Sequence, residues 1–192
     1  MKHFFAYMSR MKHIKRWGLM RNSVEENIAE HSHMAAIVAH CLALVHNKIY
    51  GGNIDVNAVI TFALYHEAAE VITGDLPTPI KYYNEDIKKA YKEIERLSSH
   101  RLLTMLPDEL KPYYENFILQ RADEQVLQMV KAADKICAYI KCIEEKKNGN
   151  CEFDKAAVRL RESLDQLNMP EVQYFIDHFL PSFYLTLDEL NR

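Results

Sequence analysis

The stretch "AVITFALYHEAAEV" at 58–71 sets one histidine and two acids, His66, Glu67 and Glu70, into an otherwise apolar run. Such groups are costly to bury unless a partner satisfies them. Val59, Phe62 and Ala63 fall on the same helical face as His66, and Glu70 lies one turn further on with Glu67 beside them. Ile60, Leu64 and Val71 cover much of the remaining circumference, so this helix is expected to be buried almost all round. In "EHSHMAAIVAHCLALV", steps of three and four from His31 reach Met34, Ala35, Val38, Cys41, Leu42 and Val45, which puts His31 at the head of a core-facing stripe. His33 falls on another face with Ala36, Ile37 and His40. In "LQMVKAADKICAYI", Asp134 shares a stripe with Leu127, Val130, Cys137 and Ala138.

Three predicted helices therefore each offer ligand-type residues at inward positions: His31, His66 with Glu67, and Asp134. Mixed imidazole and carboxylate ligation suits one divalent transition metal ion such as Co, Mn, Zn, Fe or Ni. A histidine followed directly by an acid can present two ligands from a single turn. Two other readings stay open on the residues alone. His31 could be a core histidine bonded to a carbonyl, and the acids could be met by a Lys or Arg reaching in from elsewhere.

The elements that must position these groups are helical. Residues 3 to 16 place Phe4, Phe5, Tyr7, Met8, Met11 and Ile14 among basic residues, an amphipathic opening helix ending near Trp17-Gly18. A second helix covers 26–48, stopped before "YGGN". Asn53 or Asp55 caps a third, which runs to the "TGD" turn at 73–75. "GDLPTPIKY" reads as a loop, because Pro77 and Pro79 do not suit a helix interior. A charged helix from about 84 to 106 carries Ile87, Tyr91, Ile94, Leu97 and Leu102 along one stripe, and a short helix follows Pro107. A long helix begins at Asp123 and is terminated by Gly149, and two or three shorter helices follow, punctuated by Pro170 and Pro181. Nothing alternates with period two. The expected fold is all-α, one domain over 1–192, a helical bundle with a buried metal site.

Composition narrows the class. The chain is 48% apolar and 27% charged with a formal net charge of -3, which argues for a globular protein and gives no reason to expect binding to polymeric nucleic acid or to a membrane surface. Basic residues interrupt the first twenty positions, so no secretory signal is expected, and no window is expected to approach a membrane span. Cys41, Cys137, Cys142 and Cys151 match no paired zinc motif and read as reduced, mostly buried thiols in a cytoplasmic protein. His3, His13, His46, His100 and His178 read as surface residues, and "EEKKNG" at 144–149 as a solvated helix end. The 11 tyrosines suit either a dimer surface or the core.

The order His … His-acid … Asp on helices resembles the HD-domain metal-dependent phosphohydrolases. The resemblance narrows at "RWGLMRN" (16–22), "ENIAEHS" (26–32), "YHEAAEVITGDLPTPIKYYN" (65–84), "KAADKICAYIKCIEE" (131–145) and "PSFYLTLDEL" (181–190), which are similar to bacterial 5′-deoxynucleotidases of the YfbR type. It covers essentially the whole chain in the same order, and "TGDLPTP" joined to an upstream "RW" is its most specific part. The resemblance implies a helical HD fold, a homodimer, and metal-dependent removal of the 5′-phosphate from deoxyribonucleoside 5′-monophosphates. By the same resemblance the metal ligands are His31, His66, Glu67 and Asp134, and Glu70 is catalytic. Arg16, Trp17, His31, Asp75 and Thr78 lie at the substrate.

The pair here is His66-Glu67, where the family takes its name from a His-Asp pair. Glutamate carries one more methylene, which displaces the carboxylate by roughly 1.5 Å. It remains a hard oxygen ligand. Two alternatives stay open: an HD hydrolase of another nucleotide (a ribonucleotide, a triphosphate or a cyclic phosphodiester), and a catalytically weakened nucleotide-binding dimer. In the leading reading Glu70 orients the attacking water or protonates the leaving 5′ oxygen. Arg16 grips phosphate with its planar fork. Trp17 walls the deoxyribose, although as the only tryptophan it also suits a core anchor. Asp75 and Thr78 form the loop rim, a segment that also reads as a rigid turn.

Overall fold

The computed structural model describes residues 1–81 and 83–191. The opening helix is shorter than predicted: α1 spans only Phe4–Met8, and a 3-10 turn follows at Met11–His13. Ser9 Oγ donates to the Ala6 carbonyl at 2.8 Å and so competes with the backbone for that acceptor. Ile14 is extended, and Lys15 makes an isolated antiparallel bridge with Asn27. No strand forms among the described residues, in keeping with the all-α expectation.

α2 spans Ile28–Lys48. Asn27 caps it by accepting from the Ala29 and Glu30 amides at 3.0 and 3.1 Å, and Glu30 returns the bond to the Asn27 amide at 3.3 Å. α3 spans Val56–Tyr65, capped by Asp55. Here the structure departs from the predicted continuous helix. Across His66–Ala69 the bonding tightens to i→i+3, with Ala68 N–H to Tyr65 O and Glu70 N–H to Glu67 O both at 3.0 Å. α4, Glu70–Thr73, then runs to Gly74, which adopts φ 72, a left-handed conformation that glycine takes without strain.

The predicted "GDLPTPIKY" loop contains a short helix, α5 at Thr78–Lys81. Pro79 is tolerated there because it lies in the first turn, where its missing amide has no partner to lose. Lys81 ties α5 to the next helix through Glu95 at 2.9 Å and sits 4.7 Å from the Tyr91 ring centre.

α6 spans Glu85–Thr104. Tyr91 and Leu102 of its predicted stripe are buried, but Ile87, Ile94 and Leu97 are exposed and Ser98 and Ser99 turn inward instead. Periodicity identifies the spacing of a stripe, whereas the neighbouring elements decide which of two adjoining faces is covered. α7 is Lys111–Ile118, and the long α8 is Glu124–Lys147, ended by Asn148 and by Gly149 at φ 78. A 3-10 turn at Cys151–Phe153 leads into α9, Asp154–Asp165. α10 spans Pro170–His178, a 3-10 segment covers Leu180–Tyr184, and α11 is Leu187–Leu190.

α2 is the centre of the bundle and packs on α3, α8 and α10. Ala35, Ala39 and Ala43 along it, and Ala132 and Ala133 on α8, are fully buried small residues between larger ones such as Leu42, Phe62, Met129 and Ile136. Small side chains let helix axes approach, and dense packing follows. A second apolar cluster gathers Phe4, Ile28, Ala68, Leu102 and Leu106 beneath α1 and α6. α2 corrects one expectation: by length and hydropathy it does qualify as a candidate membrane span. Its apolar surface is used inside the bundle, where more than half of that window is buried.

Candidate metal centre

His31 projects from the first turns of α2, His66 and Glu67 from the tightened turn after α3, and Asp134 from the middle of α8. Because α2 packs on both α3 and α8, these side chains converge. One ligand atom from each of the four residues lies within 4.8 Å of the others. His31 is 1% exposed and Glu67 9%, while Asp134 opens to a cleft.

The donor set fits a divalent ion on two counts. His66 Nδ1 lies 2.6 Å from the Ala63 carbonyl, which can only accept, so Nδ1 carries the proton and Nε2 keeps its lone pair. That buried Nε2 has no hydrogen-bond partner, and neither has Glu67 Oε2. Orphaned buried acceptors are rare, and a cation satisfies them together. His31 Nε2 donates to Asp134 Oδ1 at 3.0 Å and stands 3.7 Å from Glu67 Oε1. Burial pushes the Asp134 carboxyl up, but the hydrogen bond from His31, the neighbouring imidazoles and the charge of Arg16 outweigh it and hold it well below the usual carboxylate range.

A protein cation is present as well. Arg16 pairs with Glu67 through Nη1, with Glu26 Oε2 through Nε at 3.0 Å, and approaches Asp134 Oδ1 to 3.9 Å. Burial disfavours its charge, but Glu67, Asp134, Glu26 and Asp75 outweigh burial, so the guanidinium stays charged. The arginine reaching in from elsewhere, one of the two alternatives left open by the residues, is therefore part of the site. Trp17 adopts φ 60, a conformation uncommon for a bulky residue. Its Nε1 donates to Glu26 Oε2 at 2.9 Å, and its indole meets the Phe153 ring edge-on at 5.2 Å.

The segment carrying Arg16 and Trp17 is tied down at both ends. Arg16 N–H donates to Glu26 O at 2.9 Å and Ile28 N–H to Ile14 O at 3.0 Å. Further along, Glu145 of α8 accepts from the Ser23 amide at 2.8 Å, Asn150 Nδ2 at 2.7 Å and Lys141 Nζ at 2.5 Å, while Lys141 also donates to the Val24 carbonyl. Glu145 is thus buried, which corrects the solvated reading of "EEKKNG" at that position; Glu144, Lys146 and Lys147 are exposed as expected.

Arg16, Trp17, Asp75, Thr78 and Asp134 line a cleft of about 680 Å³, together with Ala138 and Leu160 among others. His31, expected at the substrate as well as at the ion, is buried away from that lining. Glu70 is 8% exposed. Burial, then the charges of Glu67 and Asp75, push its carboxyl up to about 9, against the opposing pull of Arg16 and Lys81. Burial also pushes Asp75 up, opposed by Arg16 and by a hydrogen bond from the Trp17 backbone.

Some expectations need correction. Leu64 is exposed and Ile60 partly so, so the third helix is not buried all round; one edge of α3 faces solvent. His46 is partly buried rather than fully at the surface. It bonds Glu171 Oε1 at 3.0 Å through Nδ1, and Gln125 donates to its Nε2 at 3.0 Å. Among the four thiols Cys137 and Cys142 are buried, Cys41 is partly buried and Cys151 is exposed. Glu26 went unrecognised, although it stands directly before the capping Asn27 and downstream of "RW" in a segment of matching character.

Two histidines and two acids brought from three helices to one point, inside an all-helical bundle, are the architecture of the HD-domain phosphohydrolases. Solved structures share the fold: an HD-domain phosphohydrolase of Listeria innocua matches with a TM-score of 0.83 at 21% identity, covering 98% of this chain and 92% of that one. The HD phosphohydrolase of cyanophage S-2L, bound to dA and one catalytic Zn2+ ion, matches with a TM-score of 0.67 at 20% identity over 92% and 96% of the two chains. The family model described as 5′-deoxynucleotidase YfbR-like matches residues 3–183, and the chain belongs to that family. A curated relative, a 5′-deoxynucleotidase of Vibrio vulnificus, is 50% identical over 190 residues, 98% of each chain.

Proposed function

We propose that this chain, working as one HD domain over 1–192, is a metal-dependent phosphomonoesterase that hydrolyses deoxyribonucleoside 5′-monophosphates to deoxyribonucleosides and phosphate. The observation that carries the reading is the lone pair of His66 Nε2, aimed without a partner into a cluster of two acids and a second histidine beside a buried arginine. The family and the full-length relatives named as 5′-deoxynucleotidases supply the substrate class.

His31, His66, Glu67 and Asp134 would hold one divalent transition ion, with Co, Mn, Zn, Fe and Ni as the candidates and zinc favoured by the phage neighbour. When bound, such an ion acidifies water and neutralises phosphate oxygens. The chain's own groups do the rest. Arg16, charged and held by Glu26 and Glu67, presents its remaining Nη2 donors to the phosphate from the cleft wall. Trp17 presents an aromatic face where the sugar enters, and Asp75 and Thr78 rim the same cleft. Glu70, buried beside Glu67, would orient the attacking water or give a proton to the departing 5′ oxygen, which needs one to leave as an alcohol. Positioning and electrostatics of this kind carry phosphoryl transfer.

The cleft of about 680 Å³ suits a single nucleotide rather than a polymer. The bare stripe of Ile87, Ile94 and Leu97 on α6 supports a homodimer, since apolar groups of this size gain by leaving water. Free thiols support a cytoplasmic setting.

The test is metal analysis of the purified protein, followed by phosphate release from matched deoxy- and ribonucleoside monophosphates with Co, Mn, Zn and Mg. Release from dAMP well above AMP is expected. Equal rates on both sugars remove the deoxy assignment, and nucleotide binding without turnover under any metal leaves a silent binding protein.

A further inference from the structure

We propose that Glu26 is a positioning residue that aligns the nucleotide-binding arm with the ion site, holding Arg16 and Trp17 with one carboxylate oxygen and steering His31 with the other. This rests on the nucleotidase reading for its substrate. Its physical basis is local. Glu26 Oε2 accepts from Arg16 Nε at 3.0 Å and from Trp17 Nε1 at 2.9 Å, so two side chains that line the cleft are fixed by a single atom. The Glu26 backbone repeats the grip, since its carbonyl accepts the Arg16 amide at 2.9 Å. Arg16 in turn carries the restraint to Glu67, through its Nη1, and towards Asp134.

The second oxygen faces the ion site. Glu26 Oε1 stands 3.8 Å from His31 Nδ1, the only ring nitrogen of that residue without a hydrogen-bond partner. At present the His31 proton sits on Nε2, shared with Asp134 Oδ1 at 3.0 Å. Ligation through Nε2 requires the other tautomer, with the proton on Nδ1. Glu26 Oε1, 3.8 Å from Nδ1, can then accept that proton, and a closure of under 1 Å brings it within hydrogen-bond reach. Ligating histidines commonly donate their second ring proton to a carboxylate, and such partners orient the ring and raise its basicity. Glu26 therefore serves the ion and the nucleotide at once. Asn27, immediately after it, caps α2, so the register of the helix that carries His31 also sets where Glu26 stands.

The test compares Glu26→Ala, Glu26→Gln and Trp17→Phe with the wild-type chain. The readouts are cobalt affinity by titration of its visible absorption, kcat and KM separately on dAMP, the dAMP to AMP preference, and the melting temperature. In Glu26→Ala cobalt affinity is expected to fall about 10- to 100-fold. KM rises about tenfold or more, the sugar preference narrows, and kcat at saturating cobalt and dAMP changes less than KM. Trp17→Phe removes the indole donor together with part of the ring that lines the cleft, so it narrows the sugar preference at unchanged cobalt affinity. Glu26→Gln can keep its one oxygen on the Arg16 and Trp17 donors but turns an amide donor towards His31 Nδ1, so cobalt affinity falls while KM and the sugar preference stay nearer the wild type. The proposal is overturned if Glu26→Ala keeps wild-type cobalt affinity and KM, or loses only melting temperature and kcat. If Glu26→Ala does not fold, Glu26→Gln and Trp17→Phe decide it by whether cobalt affinity and sugar preference separate. A wild-type chain that binds cobalt but releases no phosphate from dAMP removes the nucleotidase reading, and the cobalt arm still decides the role of Glu26.

Discussion

His66 Nδ1 lies 2.6 Å from the carbonyl oxygen of Ala63, three residues earlier in the last turn of α3. The bond pins the ring and leaves Nε2 as a lone-pair donor among Glu67, His31 and Asp134. A fixed ligand needs no reordering when an ion arrives, so a large share of its binding energy goes into affinity.

Adding the matching ion should therefore stabilise the folded chain. At a free concentration of 100 times Kd the gain is about 2.7 kcal/mol. His66→Ala removes the pinned donor and should show much less stabilisation at the same concentration. Denaturant titration with and without cobalt checks this, and an equal gain in both proteins would place the ion elsewhere.

Glu70 ties stability to pH in the metal-free chain. Its carboxyl, ordinarily near 4.5, is pushed up to about 9 by burial and by Glu67 and Asp75. The folded state then holds the proton more tightly than the unfolded chain. Its contribution is full below about 4.5 and is lost as the pH rises through about 9. Glu70→Gln should flatten the fall in melting temperature over that window, and in the metal-loaded enzyme should cut kcat by about 10²- to 10⁴-fold. A melting profile as steep as wild type would contradict the assigned shift.

Arg16 spans Glu26 and Glu67 at the same time through two separate nitrogens, Nε and Nη1, whereas lysine carries its donors on one nitrogen at a different reach. Arg16→Lys keeps the charge but gives up one of the two anchors. KM for dAMP should rise about tenfold or more, equivalent to ~1.4 kcal/mol or above. Steady-state kinetics on dAMP reads the effect, and an unchanged KM would show that charge alone is sufficient there.

Lys141 and Glu145 are 4% and 1% exposed at their side chains and bind the 17–26 segment to α8. Lys141→Met leaves an uncompensated buried carboxylate and should cost about 3–5 kcal/mol. Replacing both residues by apolar ones should recover only part of that, because the Ser23 amide and Asn150 then lack their acceptor. Chemical denaturation of the single and double variants measures both numbers.

Much of the fold is legible along the chain. Asp55 as a cap, Gly149 as a terminator and the apolar period of α2 and α8 each act within a few residues, so reading neighbours in order suffices. The inward placement of His31 and Asp134 follows from helical spacing, whereas His66 and Glu67 reach the same point from the tightened turn after α3. Pro79 misled because a rule for helix interiors was applied to a first turn. Ile94 and Leu97 misled because spacing is blind to what packs against a helix, and Ser98 and Ser99 took the covered side.

By itself the amino-acid order determined the helices, their caps and the ligand-type residues on their inner faces, since these depend on local backbone sterics and hydrophobic period. Only the tertiary structure decided that Arg16 meets Glu67 across 51 positions, that Glu26 joins Arg16 to Trp17, and that Lys141 and Glu145 hold a distant loop. Side-chain pairing across such separations is set by how whole helices dock, and no interval along the chain encodes that distance.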